Sequence, residues 1–203
     1  MRALVIGSKG TLGQAIARLL QQQNVEVLTG GRSSCDLNFD AYDQVSVQKA
    51  FKTAPKFHSV ICAFGAATSI KPLEKLRVED FHKAAQSKLW SQIGITIEAL
   101  HYLEDGGSIT LTAGSVHDEL IEGGSVMATI NRALIGFVRA CDAPNIRINV
   151  VSPTLLKESE EKYREYFLGI NAVSAEKAAT AYIRSVFGRH QGANFKVYGD
   201  KAP

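Results

Sequence analysis

A glycine-rich segment near the start of the chain has the spacing of a phosphate-binding loop. It reads Gly7-Ser8-Lys9-Gly10-Thr11-Leu12-Gly13 and lies between a short apolar run and a stretch with helical periodicity. Glycines allow a tight turn and a close approach of the backbone to a ligand, and a helix N-terminus offers free N–H groups to a pyrophosphate. A plain glycine-rich turn is the alternative, but the place of the motif between a strand and a helix favours a dinucleotide-binding loop.

A second polar segment indicates which dinucleotide that loop binds. Where NAD enzymes usually carry an acidic residue at the end of the second strand, this chain reads Gly30-Gly31-Arg32-Ser33-Ser34 and has no carboxylate. An arginine flanked by two hydroxyls suits a phosphate, and the absence of a carboxylate removes repulsion against it. Arg32 could instead be a solvated surface residue. The segment predicts a preference for NADP(H) over NAD(H).

Composition limits the classes of protein that could carry these motifs. The 203 residues predict a single domain over 1–203, and the net charge of +3 is scattered, which disfavours a nucleic-acid partner. The three cysteines, Cys35, Cys62 and Cys141, form no close pair, so the sequence predicts no disulfide framework, no metal site and a reducing, cytoplasmic location. No apolar stretch is long enough for a signal peptide or a membrane span. A small molecule is the expected partner.

Apolar runs of strand length alternate with longer stretches of helical period, which is typical of a doubly wound α/β fold with a parallel sheet. The first helix follows Thr11, a plausible N-cap, and the last follows Ser174, another N-cap. Only six residues separate the second strand from Asp36, too few for a crossover helix, so the third strand is expected to be a stub near 34–36. The remaining elements are expected as strands at about 2–6, 25–29, 58–63, 107–112, 145–151 and 194–198, and as helices at about 78–102 and 125–142.

Together, these motifs make the chain resemble the short-chain dehydrogenase/reductase family along nearly its whole length. The Asp-Val pair that brackets the adenine in that family matches Asp36-Leu37, and its Asn-Ala-Gly matches Ala63-Phe64-Gly65. Its segment beneath the nicotinamide matches 149–154, so Pro153 and the backbone of Leu155 are expected near the ring, with Thr154 between them. The resemblance implies a single Rossmann domain of about seven strands and a homodimer or homotetramer formed by the 78–102 and 125–142 helices.

The chain departs from this family where the family's catalytic residues lie. Alignment of the 125–142 helix puts Met127 at the position of the catalytic tyrosine and Asn131 at that of the lysine, which leaves Asn131 only a ribose hydrogen bond. Methionine has no proton to transfer, and asparagine has no charge with which to lower a neighbour's pKa. The family's substrate-polarising serine aligns with Ala113 or Gly114. Ser115 follows the aligned position by one residue.

Four side chains remain as candidate catalytic groups. Lys88 lies beside the apolar stripe of the 78–102 helix and either reaches the place of the missing lysine or extends to solvent or to a carboxylate partner. Ser115 and His117 follow the fifth strand, and Thr112 precedes Ser115 there. The resemblance implies an NADP(H)-dependent oxidoreductase acting on a small carbonyl or alcohol. The missing tyrosine and lysine leave two alternatives open, a catalytically inactive NADP(H)-binding sensor or interaction protein and a binder of another adenine nucleotide.

Overall fold

The computed structural model describes residues 1–65 and 70–199, and it has a seven-stranded, fully parallel sheet with helices on both faces. The strands are β1 (Arg2–Ile6), β2 (Glu26–Gly31), β3 (Leu37–Asn38), β4 (Phe57–Cys62), β5 (Leu103–Thr112), β6 (Arg147–Pro153) and β7 (Asn194–Val197). Their order in the sheet is β3-β2-β1-β4-β5-β6-β7, so the direction of winding reverses between β1 and β4. Doubly wound sheets bind ligands at the carboxyl ends of the strands beside such a reversal. The predicted fold class is confirmed.

The helices cover both faces of the sheet because its central strands carry apolar side chains on both faces. In β1, Leu4 and Ile6 pack on one face, while Ala3 and Val5 belong to the core of the other face, which also contains Tyr182. Successive side chains of a strand point to opposite faces, so a strand that is apolar throughout must be covered on both faces. The helices are α1 (Thr11–Gln22), α2 (Gln44–Lys52), α3 (Val78–Ala84), α4 (Ser91–Ala99), α5 (Ser125–Ala140), α6 (Glu160–Tyr163) and α7 (Ala175–Phe187), and Ala85–Trp90 is π-helical between α3 and α4.

Several expectations for the helices need correction. Thr11 is the first residue of α1 rather than its cap, because Gly10 takes the extended backbone conformation of the N-cap. The helix expected at 78–102 is divided by the π-helical segment and ends at Ala99. The helix expected at 125–142 ends at Ala140, where the backbone of Cys141 becomes extended. Ser174 does cap α7, since its Oγ accepts a hydrogen bond of 3.1 Å from the Lys177 N–H.

The third strand is a stub reached without a helix, as expected, but it lies at Leu37–Asn38 rather than near 34–36. The reason is a turn: Asp36 accepts hydrogen bonds from the backbone N–H (2.8 Å) and the hydroxyl (2.7 Å) of Thr29, which keeps 32–36 out of the sheet. These bonds hold the pKa of the Asp36 carboxyl below its usual value. The helix α2 that follows was not expected from the sequence.

No helix in the described part of the chain is both long and apolar enough to cross a lipid bilayer.

Candidate active site

The glycine loop between β1 and α1 is packed so closely that two of its glycines leave no room for a side chain. Gly7 has a φ of +84°, and a Cβ added there would lie 2.7 Å from the carbonyl oxygen of Ala63. A Cβ on Gly13 would lie 2.1 Å from the carbonyl oxygen of Gly7. Because no side chain caps α1 at Gly10, the loop presents backbone N–H groups at the helix N-terminus. This geometry fits a pyrophosphate.

An outer cavity of about 300 Å³ lies beside the loop, at the ends of β1 and β2. Arg32 and Ser33 line it together with Lys9, whose Nζ donates a hydrogen bond of 2.7 Å to the Ser33 carbonyl oxygen. Ser8 also lines it, and the Oγ of Ser8 is buried without a hydrogen-bond partner. A buried hydroxyl of this kind is costly unless a ligand satisfies it. The two cations and the unpaired hydroxyl fit a phosphorylated ligand, while Ser34 lines a separate depression next to Lys9.

The far wall of the outer cavity differs from the sequence expectation. Asp36 and Leu37, expected to bracket the adenine, do not line the outer cavity, because the carboxylate of Asp36 is turned toward Thr29. The residues that line it instead follow the stub strand β3: Phe39, Asp40, Ala41 and Tyr42. The resemblance to the family pointed to Asp36-Leu37, so Asp40 and Ala41 were not identified from the sequence.

A middle cavity of about 480 Å³ continues from the outer one, sharing Gly7 and Phe64 with it. It lies at the reversal of winding between β1 and β4, and it ends at Lys88 and Ala113. The predicted cofactor-binding residues that line it are Gly7, Gly10, Thr11, Leu12, Ala63, Phe64 and Gly65.

An inner cavity of about 300 Å³ shares Gly65, Lys88 and Ala113 with the middle one. Its walls are mainly apolar, and Tyr163 and Phe167 close one side of it. These two aromatic residues were not identified from the sequence, because nothing in the charged 157–167 segment indicates which side chains turn inward. The predicted residues that line the inner cavity are Lys88, Ser115, Met127, Asn131, Pro153, Thr154 and Leu155.

Lys88 lies where the middle and inner cavities meet, on the π-helical segment before α4. Its Nζ donates one hydrogen bond of 2.9 Å to the Ala113 carbonyl oxygen and another of 2.9 Å to Oδ1 of Asn131. Burial lowers the pKa of the Lys88 ammonium to about 8, because removal from bulk water disfavours the charged form. The structure therefore brings Lys88 to Asn131, the residue expected from the sequence at the position of the family's lysine.

Ser115 is almost fully buried, with 1% of its surface exposed, and it belongs to a chain of hydroxyls. Its Oγ donates to Oγ1 of Thr154 at 3.2 Å, and Thr154 donates to Oε2 of Glu119 at 2.6 Å. The neighbouring carboxylate, Asp118, instead pairs with Arg132 and Lys196. Glu119 is thus the acceptor at the end of the chain of hydroxyls.

Two other candidate groups are tied to the protein interior. The ring of His117 is buried, its Nδ1 bonds to the Gly114 carbonyl oxygen at 2.5 Å, and it lines none of the three cavities. Thr112 borders the middle cavity, but its hydroxyl donates to the Cys62 carbonyl oxygen at 2.6 Å and accepts from the Tyr182 hydroxyl at 2.6 Å. Neither side chain is placed to give a proton to a ligand in the inner cavity.

Within the described ranges 1–65 and 70–199, no cluster of three or more histidine, cysteine, aspartate or glutamate side chains could hold a metal ion.

Comparisons with known proteins show similar sequences and the same fold. A family model for enoyl-(acyl carrier protein) reductase matches residues 9–181. The protein lin1944 from Listeria innocua is 37% identical in sequence, with a TM-score of 0.93, and the match covers 98% of this chain and 100% of that one. No curated protein matches the sequence.

Two further solved structures share the fold at lower identity. A small-chain dehydrogenase in complex with NADPH is 23% identical, with a TM-score of 0.87, over 98% of this chain and 96% of that chain. A short-chain dehydrogenase from Burkholderia cenocepacia in complex with NADP is 19% identical, with a TM-score of 0.81, over the same shares of the two chains. The extent of the family match, the glycine loop and the sheet order together establish that the chain belongs to the short-chain dehydrogenase/reductase family.

Proposed function

We propose that this protein is an NADP(H)-dependent oxidoreductase that interconverts a small carbonyl compound and its alcohol, with Lys88 as the proton donor. The observation that carries this proposal is the position of the Lys88 ammonium, at the junction of the middle and inner cavities and 2.9 Å from Asn131. A short-chain dehydrogenase of ordinary type holds its cation on the helix that here carries Asn131. In this chain the cationic side chain is Lys88, which lies on the π-helical segment Ala85–Trp90.

The cofactor proposal rests on the fit of the outer and middle cavities to a phosphorylated dinucleotide. Arg32, Lys9 and Ser33 would hold the 2′-phosphate, and the buried hydroxyl of Ser8 would gain the partner it lacks. The glycine loop would hold the pyrophosphate, and Asp40 and Ala41 would bracket the adenine. When bound, NADPH supplies the hydride for carbonyl reduction.

Lys88 has the hydrogen-bonding capacity that a proton donor needs. An ammonium has three N–H groups, and Ala113 and Asn131 accept two of them, so the third remains for the oxygen of a substrate. Reduction adds a hydride to the carbonyl carbon and a proton to its oxygen. Lys88 gives that proton, becomes a neutral amine and regains a proton from solvent. Its pKa of about 8 keeps it protonated at neutral pH and makes the proton easier to release than from an ordinary lysine.

The inner cavity sets the size and polarity of the substrate. A volume of about 300 Å³ holds a molecule no larger than a small bicyclic compound, and Met127, Leu155 and Phe167 provide apolar walls. Met127 fills the place of the family's tyrosine without offering a proton. The substrate class is therefore a compact, largely apolar carbonyl compound or alcohol.

We also propose that the protein is a homodimer or homotetramer. Trp90 and Ile97, on the segment from Val78 to Ala99, are 56% and 54% exposed, although large apolar side chains are usually covered. A second copy of the chain, related by a two-fold axis along α4 and α5, would cover these side chains.

One other function has a specific observation in its favour. Met127 and Asn131 remove both members of the family's catalytic pair, which supports a protein that binds NADP(H) as a sensor without turnover. Calorimetric titration with NADPH and NADH, followed by a screen of carbonyl substrates monitored by NADPH absorbance, distinguishes the two functions. Turnover of a small ketone or aldehyde supports the oxidoreductase. Tight binding of NADPH with no acceptor reduced supports the sensor, and no binding of either cofactor contradicts both.

A further inference from the structure

The chain of hydroxyls at Ser115 has a fixed direction of hydrogen bonding. The Thr154 hydroxyl donates its single proton to Oε2 of Glu119, 2.6 Å away. The oxygen of Thr154 then accepts, and the Ser115 hydroxyl uses its single proton on it at 3.2 Å. The hydroxyl protons of Thr154 and Ser115 both form hydrogen bonds within the protein.

This direction determines what Ser115 can offer to a molecule in the inner cavity, which both Ser115 and Thr154 line. Because the Ser115 hydroxyl donates its proton to Thr154 in this structure, its oxygen has a lone pair left with which it accepts a hydrogen bond from a ligand. The serine of the family polarises the substrate carbonyl, which requires it to donate. In the arrangement of this structure, Ser115 donates to Thr154 instead.

The same cavity holds a group of the opposite kind. Lys88 has one N–H left after its bonds to Ala113 and Asn131, so it donates. The other described walls are mostly apolar, although Ser159 and Tyr163 also line the cavity. Lys88 thus offers a donor and Ser115 an acceptor, and a ligand that satisfies both must carry an acceptor and a donor of its own.

We infer that the substrate is a carbonyl compound with an adjacent hydroxyl, an α-hydroxy ketone or aldehyde, whose carbonyl oxygen faces Lys88 and whose hydroxyl donates to Ser115. This inference rests on the proposed function, since it specifies the substrate class of the same site. It makes Glu119 a positioning residue, which acts on the substrate only through Thr154 and Ser115.

The experiment measures equilibrium binding to the protein saturated with NADP⁺, so that turnover plays no part. Calorimetry compares α-hydroxyacetophenone with α-methoxyacetophenone, which has the same oxygen atoms but no proton to donate, and with acetophenone. A hydrogen bond to a neutral acceptor of this kind changes affinity by roughly two- to tenfold. We expect α-hydroxyacetophenone to bind about fivefold more tightly than either of the other two ketones.

Two substitutions test the role of the carboxylate. Glu119→Gln lets the amide donate to Thr154, which frees Thr154 to donate to Ser115 and Ser115 to donate to the ligand. The preference for α-hydroxyacetophenone over the methoxy compound should then fall to less than twofold. Glu122→Gln, a change of the same type at an exposed glutamate of the same loop, should retain the preference. Circular dichroism establishes that both variants are folded, and the wild-type comparison stands without either of them.

The outcomes separate this inference from the proposed function. If NADP⁺ does not bind, the proposed function fails and the inference fails with it. If NADP⁺ binds but α-hydroxyacetophenone shows no saturable binding, or binds no better than the methoxy compound, only the inference is overturned. Retention of the full preference in Glu119→Gln overturns the role of the hydroxyl chain.

Discussion

Replacement of Lys88 by methionine removes the proposed proton donor while keeping an unbranched side chain of similar length. General acid catalysis by a positioned side chain contributes about 10²- to 10⁴-fold to rate. At saturating NADPH we therefore expect carbonyl reduction by Lys88→Met to fall by at least 100-fold. The matched control is Lys83→Met, which removes an exposed lysine from the same helical segment and should leave turnover within twofold of wild type.

The pH dependence of stability identifies the same ammonium independently of activity. The difference between the ordinary lysine pKa of 10.5 and the value of about 8 at Lys88 corresponds to a loss of at most about 3 kcal/mol in the free energy of unfolding. Burial lowers the folded-state pKa, so this cost is fully present below pH 8. Between pH 8 and 10.5 only the unfolded chain still binds the proton, and the cost disappears as the pH rises.

Loss of the lysine also has a cost at neutral pH. Two acceptors, the Ala113 carbonyl oxygen and Oδ1 of Asn131, lose their donor, at about 1–3 kcal/mol for each acceptor left unsatisfied. This cost opposes the gain from removing the charge, so the two proteins should have similar free energies of unfolding at pH 7. The gap between them should grow with pH in favour of wild type, by up to about 3 kcal/mol at pH 10.5.

Urea unfolding of wild type and Lys88→Met at a series of pH values measures this difference. Other groups that titrate at alkaline pH are present in both proteins and cancel in the comparison. The pH–rate profile gives a second reading, because reduction by wild type should decline above about pH 8 as Lys88 loses its proton. The proposed role of Lys88 is refuted if Lys88→Met retains turnover within threefold of wild type, or if the difference in free energy of unfolding between the two proteins does not change with pH.

Three further predictions concern the cofactor, the catalytic helix and the assembly. Arg32→Ala should weaken NADPH binding by roughly tenfold to over a hundredfold and leave NADH binding unchanged in calorimetry, and equal affinity of wild type for the two cofactors would contradict the assignment. Met127→Tyr with Asn131→Lys should raise the rate of carbonyl reduction measured by NADPH absorbance, provided that Lys88→Asn is made in the same variant. Without that third change, two ammonium groups would lie next to each other, because Lys88 is 2.9 Å from Asn131. A triple variant no faster than wild type would contradict a family-like geometry of the pocket. Wild type should sediment as a dimer or tetramer and Trp90→Glu as a monomer, whereas monomeric wild type at micromolar concentration would disprove the proposed interface.

The sequence was sufficient to predict the parts of the fold that depend on local pattern. Apolar runs bounded by turns identified the central strands, because a buried parallel strand has to be apolar on both faces. Ser174 identified the start of α7 through its capping hydroxyl. The glycine loop was recognisable because a left-handed φ at Gly7 and the contact of Gly13 with the loop both exclude a side chain.

What the sequence could not supply depends on contacts between distant segments. The stub strand was displaced by a few residues because the hydrogen bonds of Asp36 to Thr29, which define the preceding turn, leave no periodic signal. Asp40 was missed as a cavity residue because the resemblance to the family pointed to Asp36-Leu37 instead. The buried position of His117 is likewise a tertiary feature, since a loop histidine reads the same in sequence whether it faces solvent or the interior.

The Lys88–Asn131 pair supports the proposed activity even though the expected tyrosine and lysine of the family are replaced in the sequence. Taken one position at a time, the sequence shows a lysine lost from the α5 helix and an unexplained lysine near α4. In the structure these two observations become one, because the π-helical segment carries Lys88 across to the vacated position. A lysine that merely filled space would extend its ammonium to water, which is the cheaper arrangement. The ammonium of Lys88 instead donates to Ala113 and Asn131 beside the cavity, where it is shielded from bulk water. A buried charge at the edge of a cavity supports a role in chemistry on a ligand bound in that cavity.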